Sequence, residues 1–173
     1  MRTNDIRVFA LNPGSRYAGF AVFHGSELAD WGMKMRFKTE SSTKWLERLK
    51  RILKGAAERD NVEYLAIKEF HPVRRSKRLS NITIELKAWA AKCGLTVCEY
   101  TIGEVEASLL PVGRLNKQYL MDEVAARYSI LFPEFETEKR NKGPYFVRMF
   151  EAVALGMKCL NDLENSKGRK LFQ

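Results

Sequence analysis

This sequence has little cysteine, little histidine and no long apolar run. The three cysteines form no CxxC pair, which argues against a disulfide framework or a cysteine-based zinc site. Two histidines are too few for a histidine-rich metal site. No apolar stretch approaches the roughly 18–20 residues that span a bilayer. The first residues, MRTND, lack the apolar core of a secretion signal, so we expect a cytoplasmic protein without membrane partners, which is nucleoid-associated if bacterial. An organelle matrix is the alternative location.

Positive charge is what the sequence has in excess. Its 173 residues include 30 basic and 21 acidic residues, a formal net charge of +9. Such a balance favours a polyanionic partner, most simply nucleic acid, although a solvated basic surface would give the same count. The length suits one domain, predicted over residues 1–164, with a basic and flexible tail at 165–173.

The pattern of apolar residues predicts a sheet built in two stages. Strands at 7–11, 17–23 and 28–35, separated by short turns, predict a three-stranded antiparallel meander. Helices are predicted at 43–57, 82–93, 101–109, 116–128 and 146–162, with buried strands at 64–67 and 95–100 between them. Segments 71–78 and 132–144 are predicted to be irregular. The expected fold class is α/β, a mixed five-stranded sheet flanked by helices.

Asn12 is the polar residue at the tip of the first strand, just before the Pro-Gly-Ser turn. A carboxylate at this place could hold a metal ion across the turn, but the chain has an amide. An ordinary turn asparagine is the alternative interpretation.

Five ordered segments resemble the RuvC-type Holliday junction resolvases, which have an RNase H-like fold. The first segment is LNPGSR with Gly19, which matches the family pattern IDPGS…G, and the second is YLAIKEF at 64–70. The third is 87–109, whose EYTIGEVE stretch matches the pattern eYtp.eVK. The fourth is 113–117, which matches G.GrA.K, and the fifth is EAVALGM at 151–157, which matches DALAiA. The resemblance implies carboxylates that gather two divalent metal ions, magnesium or manganese, for phosphodiester hydrolysis. It also implies a homodimer, with the 82–92 helix and its Leu86 and Trp89 as the candidate face.

At the matched positions, this chain departs from the acidic pattern. Asn12 stands where the family has its first aspartate, and Lys68 stands where it has its glutamate. Glu69 follows one residue later and reaches the site only if the strand bulges or ends there. Glu151 matches an acid of the last motif, whereas Arg148 replaces the acid one turn earlier. The predicted metal ligands, Asn12, Glu69 and Glu151, therefore form a weak set.

Basic residues supply the predicted nucleic-acid contacts. Lys117 matches a lysine that the family places near the scissile backbone, so it joins Asn12, Glu69 and Glu151 as a candidate catalytic residue. The candidate nucleic-acid-binding residues are Arg16, Lys68, Arg74, Arg75, Lys77, Arg78, Arg114 and Arg148. Phe70 is either a wedge into a junction or, as we expect, a core residue.

Three functions stay open at this point. The first is a branched-DNA-binding protein, RuvC-like, whose cleavage is weakened or absent. The second is an active divalent-metal endonuclease, in which one of Glu134, Glu136 and Glu138 rebuilds the site and Asn12 is an engineered or tolerated change. The third is a nucleic-acid scaffold or RNA-processing factor that uses the same fold without junction preference.

Overall fold

A computed structural model describes residues 5–71, 73, 76–113, 115–141 and 144–170. The strands are β1 (Arg7–Asn12), β2 (Tyr17–His24), β3 (Glu27–Met35), β4 (Tyr64–Glu69) and β5 (Thr96–Thr101). The helices are α1 (Ser42–Asp60), α2 (Lys77–Lys92), α3 (Ile102–Leu109), α4 (Lys117–Arg127), α5 (Phe132–Arg140) and α6 (Val147–Lys170), with a short 3-10 turn at Ser129–Leu131. None of the described helices is long and apolar enough to cross a membrane.

The strands in the described part of the chain form one mixed sheet in the order β3-β2-β1-β4-β5. The first three strands are antiparallel neighbours, and β1 pairs with β2 up to the pair Asn12 and Gly19. Strand β4 runs parallel to β1 on one side and to β5 on the other. The predicted meander with added parallel strands is therefore confirmed.

Side-chain alternation along β1 divides the core between the two faces of the sheet. Val8 and Ala10 point into the apolar cluster that includes Phe150 and Val153 of α6. Their neighbours, including Phe9, belong to the other cluster, which α1 and α2 cover. Because successive strand residues alternate, the side chain of Asn12 leaves β1 on the α6 face. The sheet therefore aims the tip of β1 at the last helix.

Helix α2 starts earlier than predicted and uses its apolar face within the monomer. The Ser76 hydroxyl accepts a hydrogen bond from the Leu79 backbone N–H at 3.1 Å, so the helix begins at Lys77 inside the segment predicted to be irregular. Leu86 is fully buried in the core and cannot form a dimer face, contrary to the prediction. Trp89 also packs against that core. The homodimer itself stays a prediction.

The structure differs from the predicted secondary structure at two places in the C-terminal part. Residues within 132–144 form α5, whose Phe135 is buried and whose Glu138 carboxylate accepts from the backbone N–H groups of Tyr145 and Phe146 at 2.8–3.2 Å. This buried carboxylate satisfies backbone donors just before α6, which explains why a polar segment is ordered. Helix α6 continues to Lys170, so residues 165–170 of the expected flexible tail are helical.

Candidate functional site

The opening hairpin lies against the first turn of α6 because glycine leaves room there. A Cβ atom on Gly19 would overlap the backbone of Arg148 and Met149. A Cβ on Gly14 would lie 2.9 Å from the Arg148 guanidinium. Glycines in the hairpin thus permit a backbone contact that larger residues would prevent, and this contact brings Asn12 beside Glu151, one turn into α6.

Glu151 is the centre of the site. Its Oε2 accepts hydrogen bonds from the Asn12 amide Nδ2 and from the Lys68 ammonium, both at 2.7 Å. The Lys117 Nζ lies 4.0 Å from Oε1. The Glu151 side chain is only 4% exposed, so its charge is largely removed from water and is compensated by these donors. The tip of the opening hairpin, strand β4 and the last helix therefore meet at Glu151.

The end of β4 decides which of two neighbouring residues faces Glu151. The strand runs through Glu69, in regular register with β5, and Lys68 is the residue on the Glu151 side. Glu69 is exposed and leaves the opposite face of the sheet, because the strand neither bulges nor stops before it. The structure therefore does not bring Glu69 together with Asn12 and Glu151.

A cleft of about 190 Å³ opens beside Glu151, and we call it the inner cleft. Its charged walls come from Lys68, Lys117, Arg148 and Glu151. Its aromatic walls come from Tyr17, Phe70 and Tyr145. Phe70 is only partly buried, with the Lys68 ammonium 5.0 Å from its ring centre, so it is not the core residue that the sequence favoured.

Glu106 on α3 was missed by the sequence reasoning. Its pKa is raised above the ordinary carboxyl value, first because the group is desolvated and then because the Glu151 charge repels its anion, while Lys117 and Lys68 oppose the shift. Glu106 therefore lies within the electrostatic reach of the inner cleft. A signal existed, because Glu106 falls on the lysine of the eVK pattern, just as Lys68 falls on the family's glutamate.

The donor set does not fit a pair of divalent metal ions. Magnesium and manganese need several anionic oxygens, but here one carboxylate faces two ammonium groups. Asn12 adds only a neutral oxygen, Oδ1, which is buried and has no hydrogen-bond partner among the described residues. Within those residues no group of three His, Cys, Asp or Glu side chains could hold a metal.

Two of the three acids of α5 are used elsewhere. Glu134 accepts from the Trp31 indole N–H at 3.2 Å, and both Glu138 oxygens accept from backbone donors before α6. Glu136 is part of the same helix but no contact joins it to Glu151. These contacts therefore do not support the second hypothesis, in which an acid from this segment rebuilds the site.

Three other predicted nucleic-acid contacts that the structure describes, Arg16, Lys77 and Arg78, do not line the inner cleft. Arg16 and Arg78 line a second cleft, of about 440 Å³, which we call the outer cleft and which shares Tyr17 with the inner one. Lys77 is exposed in the first turn of α2. Arg74, Arg75 and Arg114 lie outside the described residues. Of the candidate nucleic-acid contacts that the structure describes, Lys68 and Arg148 line the inner cleft and Arg16 and Arg78 line the outer cleft.

Comparison with known proteins supports the fold but not a sequence family. No protein-family model and no curated protein sequence matches the chain. Its architecture is that of the RNase H-like fold found in RuvC and other Holliday junction resolvases.

Three solved structures illustrate this likeness. RuvC from Thermus thermophilus, in complex with a Holliday junction substrate, superposes with a TM-score of 0.67 at 15% identity, over 87% of this chain and 89% of that chain. The yeast mitochondrial Holliday junction resolvase Ydc2 gives 0.60 at 11% identity, over 98% and 85%. The fowlpox virus resolvase, complexed with Holliday junction DNA, gives 0.56 at 12% identity, over 91% and 99%. At such identities the likeness establishes the fold alone.

Proposed function

We propose that this protein uses its Holliday junction resolvase fold to bind branched DNA, and that its metal-dependent phosphodiester cleavage is weakened or absent. The observation that carries the proposal is the Glu151 carboxylate. Lys68 and Asn12 hold its Oε2 at 2.7 Å, at the position where a two-metal nuclease would need several anions.

The charge balance of the inner cleft supports phosphate binding. Three cationic side chains, Lys68, Lys117 and Arg148, line it with a single carboxylate, Glu151, and the Glu106 carboxyl lies within electrostatic reach. Lys117 is 67% exposed at the first position of α4, so its ammonium can reach a phosphate without leaving its helix. The backbone N–H groups at the same helix start favour an anion as well. Such contacts position a nucleic-acid backbone without reading its sequence.

Binding to a four-way junction is the first test. Fluorescence anisotropy at one fixed salt concentration would compare a synthetic four-way junction with duplex DNA and structured RNA of matched length. We expect tighter binding to the junction. Equal affinity for all three nucleic acids would contradict the junction preference and favour a general nucleic-acid scaffold.

Nicking assays with magnesium or manganese test the second half of the proposal. We expect no nicking by the protein itself and none by Asn12→Asp alone, because the Lys68 ammonium still pairs with the Glu151 carboxylate. The double variant Asn12→Asp with Lys68→Glu adds two anions and removes one cation, so it is the variant expected to gain activity. Glu69→Gln is the matched control, since Glu69 lies on the other face of the sheet. Metal-dependent nicking by the unmodified protein, lost in Glu69→Gln, would overturn this assignment.

A further inference from the structure

Phe37 is a large aromatic side chain in the outer cleft that the function above does not use. It follows β3, and 61% of its surface is exposed. The guanidinium carbon of Arg48 lies 4.4 Å from the centre of its ring and 4.7 Å from that of Trp45. The cation thus packs against both aromatic rings, of which Trp45 is buried and Phe37 is open to solvent.

Hydrogen bonds fix the position of the Arg48 guanidinium. Its guanidinium donates to both carboxylate oxygens of Glu40, at 2.9 and 2.7 Å, and to the Met35 carbonyl at 2.6 Å. Glu40 in turn accepts from the Phe37 backbone N–H at 3.2 Å, which closes the turn that carries the ring. These bonds fix the turn that carries Phe37 before any ligand arrives, so the backbone there has little ordering entropy to lose on binding.

The cleft around this ring is cationic. Arg16, Arg36, Lys38 and Arg78 line it together with Tyr17 and Phe37, and no acidic residue is among the described side chains that line it. Tyr17 also lines the inner cleft and packs edge-on against Tyr145 at 6.2 Å. The two clefts are therefore adjacent along one surface.

We propose that the outer cleft binds an unpaired stretch of nucleic acid, with one base stacked on Phe37 and the flanking phosphates on the four cations. An exposed ring can stack only on a base that is not already stacked inside a duplex, which selects single-stranded over double-stranded segments. The proposal deepens the proposed function, since an opened junction supplies unpaired bases, and it rests on that function for its biological substrate.

The experiment compares two single strands that differ only in their bases. One is a fluorescein-labelled oligothymidylate of about ten nucleotides, and the other is an abasic strand with the same number of phosphates. We expect the protein to bind the oligothymidylate on the order of tenfold more tightly. Phe37→Ala should bring this ratio close to one, and Phe37→Trp should preserve it. Phe132→Ala removes another ring, 55% exposed, outside the cleft and should change nothing.

The outcomes separate this inference from the proposed function. A ratio near one in the unmodified protein, or an unchanged ratio in Phe37→Ala, overturns the stacking site even if the junction still binds. A ratio lost in Phe37→Ala, in a protein that does not prefer junctions, supports the stacking site and removes only its assignment to branched DNA. Near-ultraviolet circular dichroism of each variant confirms that the fold is retained.

Discussion

The inner and outer clefts both collect cations, but they differ in what balances those cations. In the inner cleft, Lys68 is committed to a carboxylate that is 4% exposed, and Glu106 adds a second nearby anion. In the outer cleft, Arg36 donates to backbone carbonyls, and Arg16, Lys38 and Arg78 form no ion pair with a described acid. The charges of the inner cleft therefore compensate one another within the folded chain, whereas the cations of the outer cleft are available to bind an anionic ligand.

The largest expected effect is on stability. Lys68→Met removes the ammonium from a buried carboxylate and should lower the free energy of unfolding by about 3 kcal/mol. The same change at Lys38, in the outer cleft, should stay within about 0.5 kcal/mol, because this side chain is exposed. Urea denaturation followed by circular dichroism measures both.

A double variant distinguishes the ion pair from simple loss of packing. Adding Glu151→Leu to Lys68→Met removes the uncompensated charge and should restore most of the lost stability. If Lys68→Met costs no more than Lys38→Met, the two clefts do not differ in the way described.

A smaller effect is expected in the salt dependence of DNA binding. Lys38→Ala should lower the slope of log affinity against log salt by about 0.7, the value for one phosphate contact on a single strand. Lys117→Ala should lower it by less, because Glu151 at 4.0 Å already offsets part of that charge. Lys87→Ala, whose ammonium is paired with Glu99 at 2.9 Å, is the control and should leave the slope unchanged. Equal losses for Lys38→Ala and Lys117→Ala would contradict the comparison.

Local patterns in the sequence predicted the sheet, and they pointed to two residues, Asn12 and Glu151, that the fold places in contact. Strand alternation and the Pro-Gly turn predicted where β1 ends, and the matched motifs brought Asn12 and Glu151 together. What failed depended on contacts distant in sequence. Helix α5 owes its order to Phe135 in the core and to the Glu138 bonds with backbone N–H groups before α6, and no local pattern reports these.

The neighbours Lys68 and Glu69 illustrate a different difficulty. Side-chain alternation predicts correctly that only one of these two residues can face the site. Only the register of β4 against β5 decides which of them faces Glu151. Glu106 was missed for a related reason. It lies in the middle of a short helix, and its relation to Glu151 arises only when α3 packs against α6 in the folded chain.

Glu106 also gives the smallest predicted effect, on the pH dependence of binding. Because its pKa is raised by burial and by Glu151, it takes up a proton at a higher pH than an ordinary carboxyl group. Protonation removes an anion near Lys117, so DNA affinity should rise as the pH falls through that raised pKa. Glu106→Gln should bind a few-fold more tightly at neutral pH, on the order of 0.5 kcal/mol for a partly exposed charge, with a flatter profile. Anisotropy titrations across the acidic range measure this, with the exposed Glu58→Gln as control. Parallel profiles for Glu106→Gln and the unmodified protein would place Glu106 outside the field of the inner cleft.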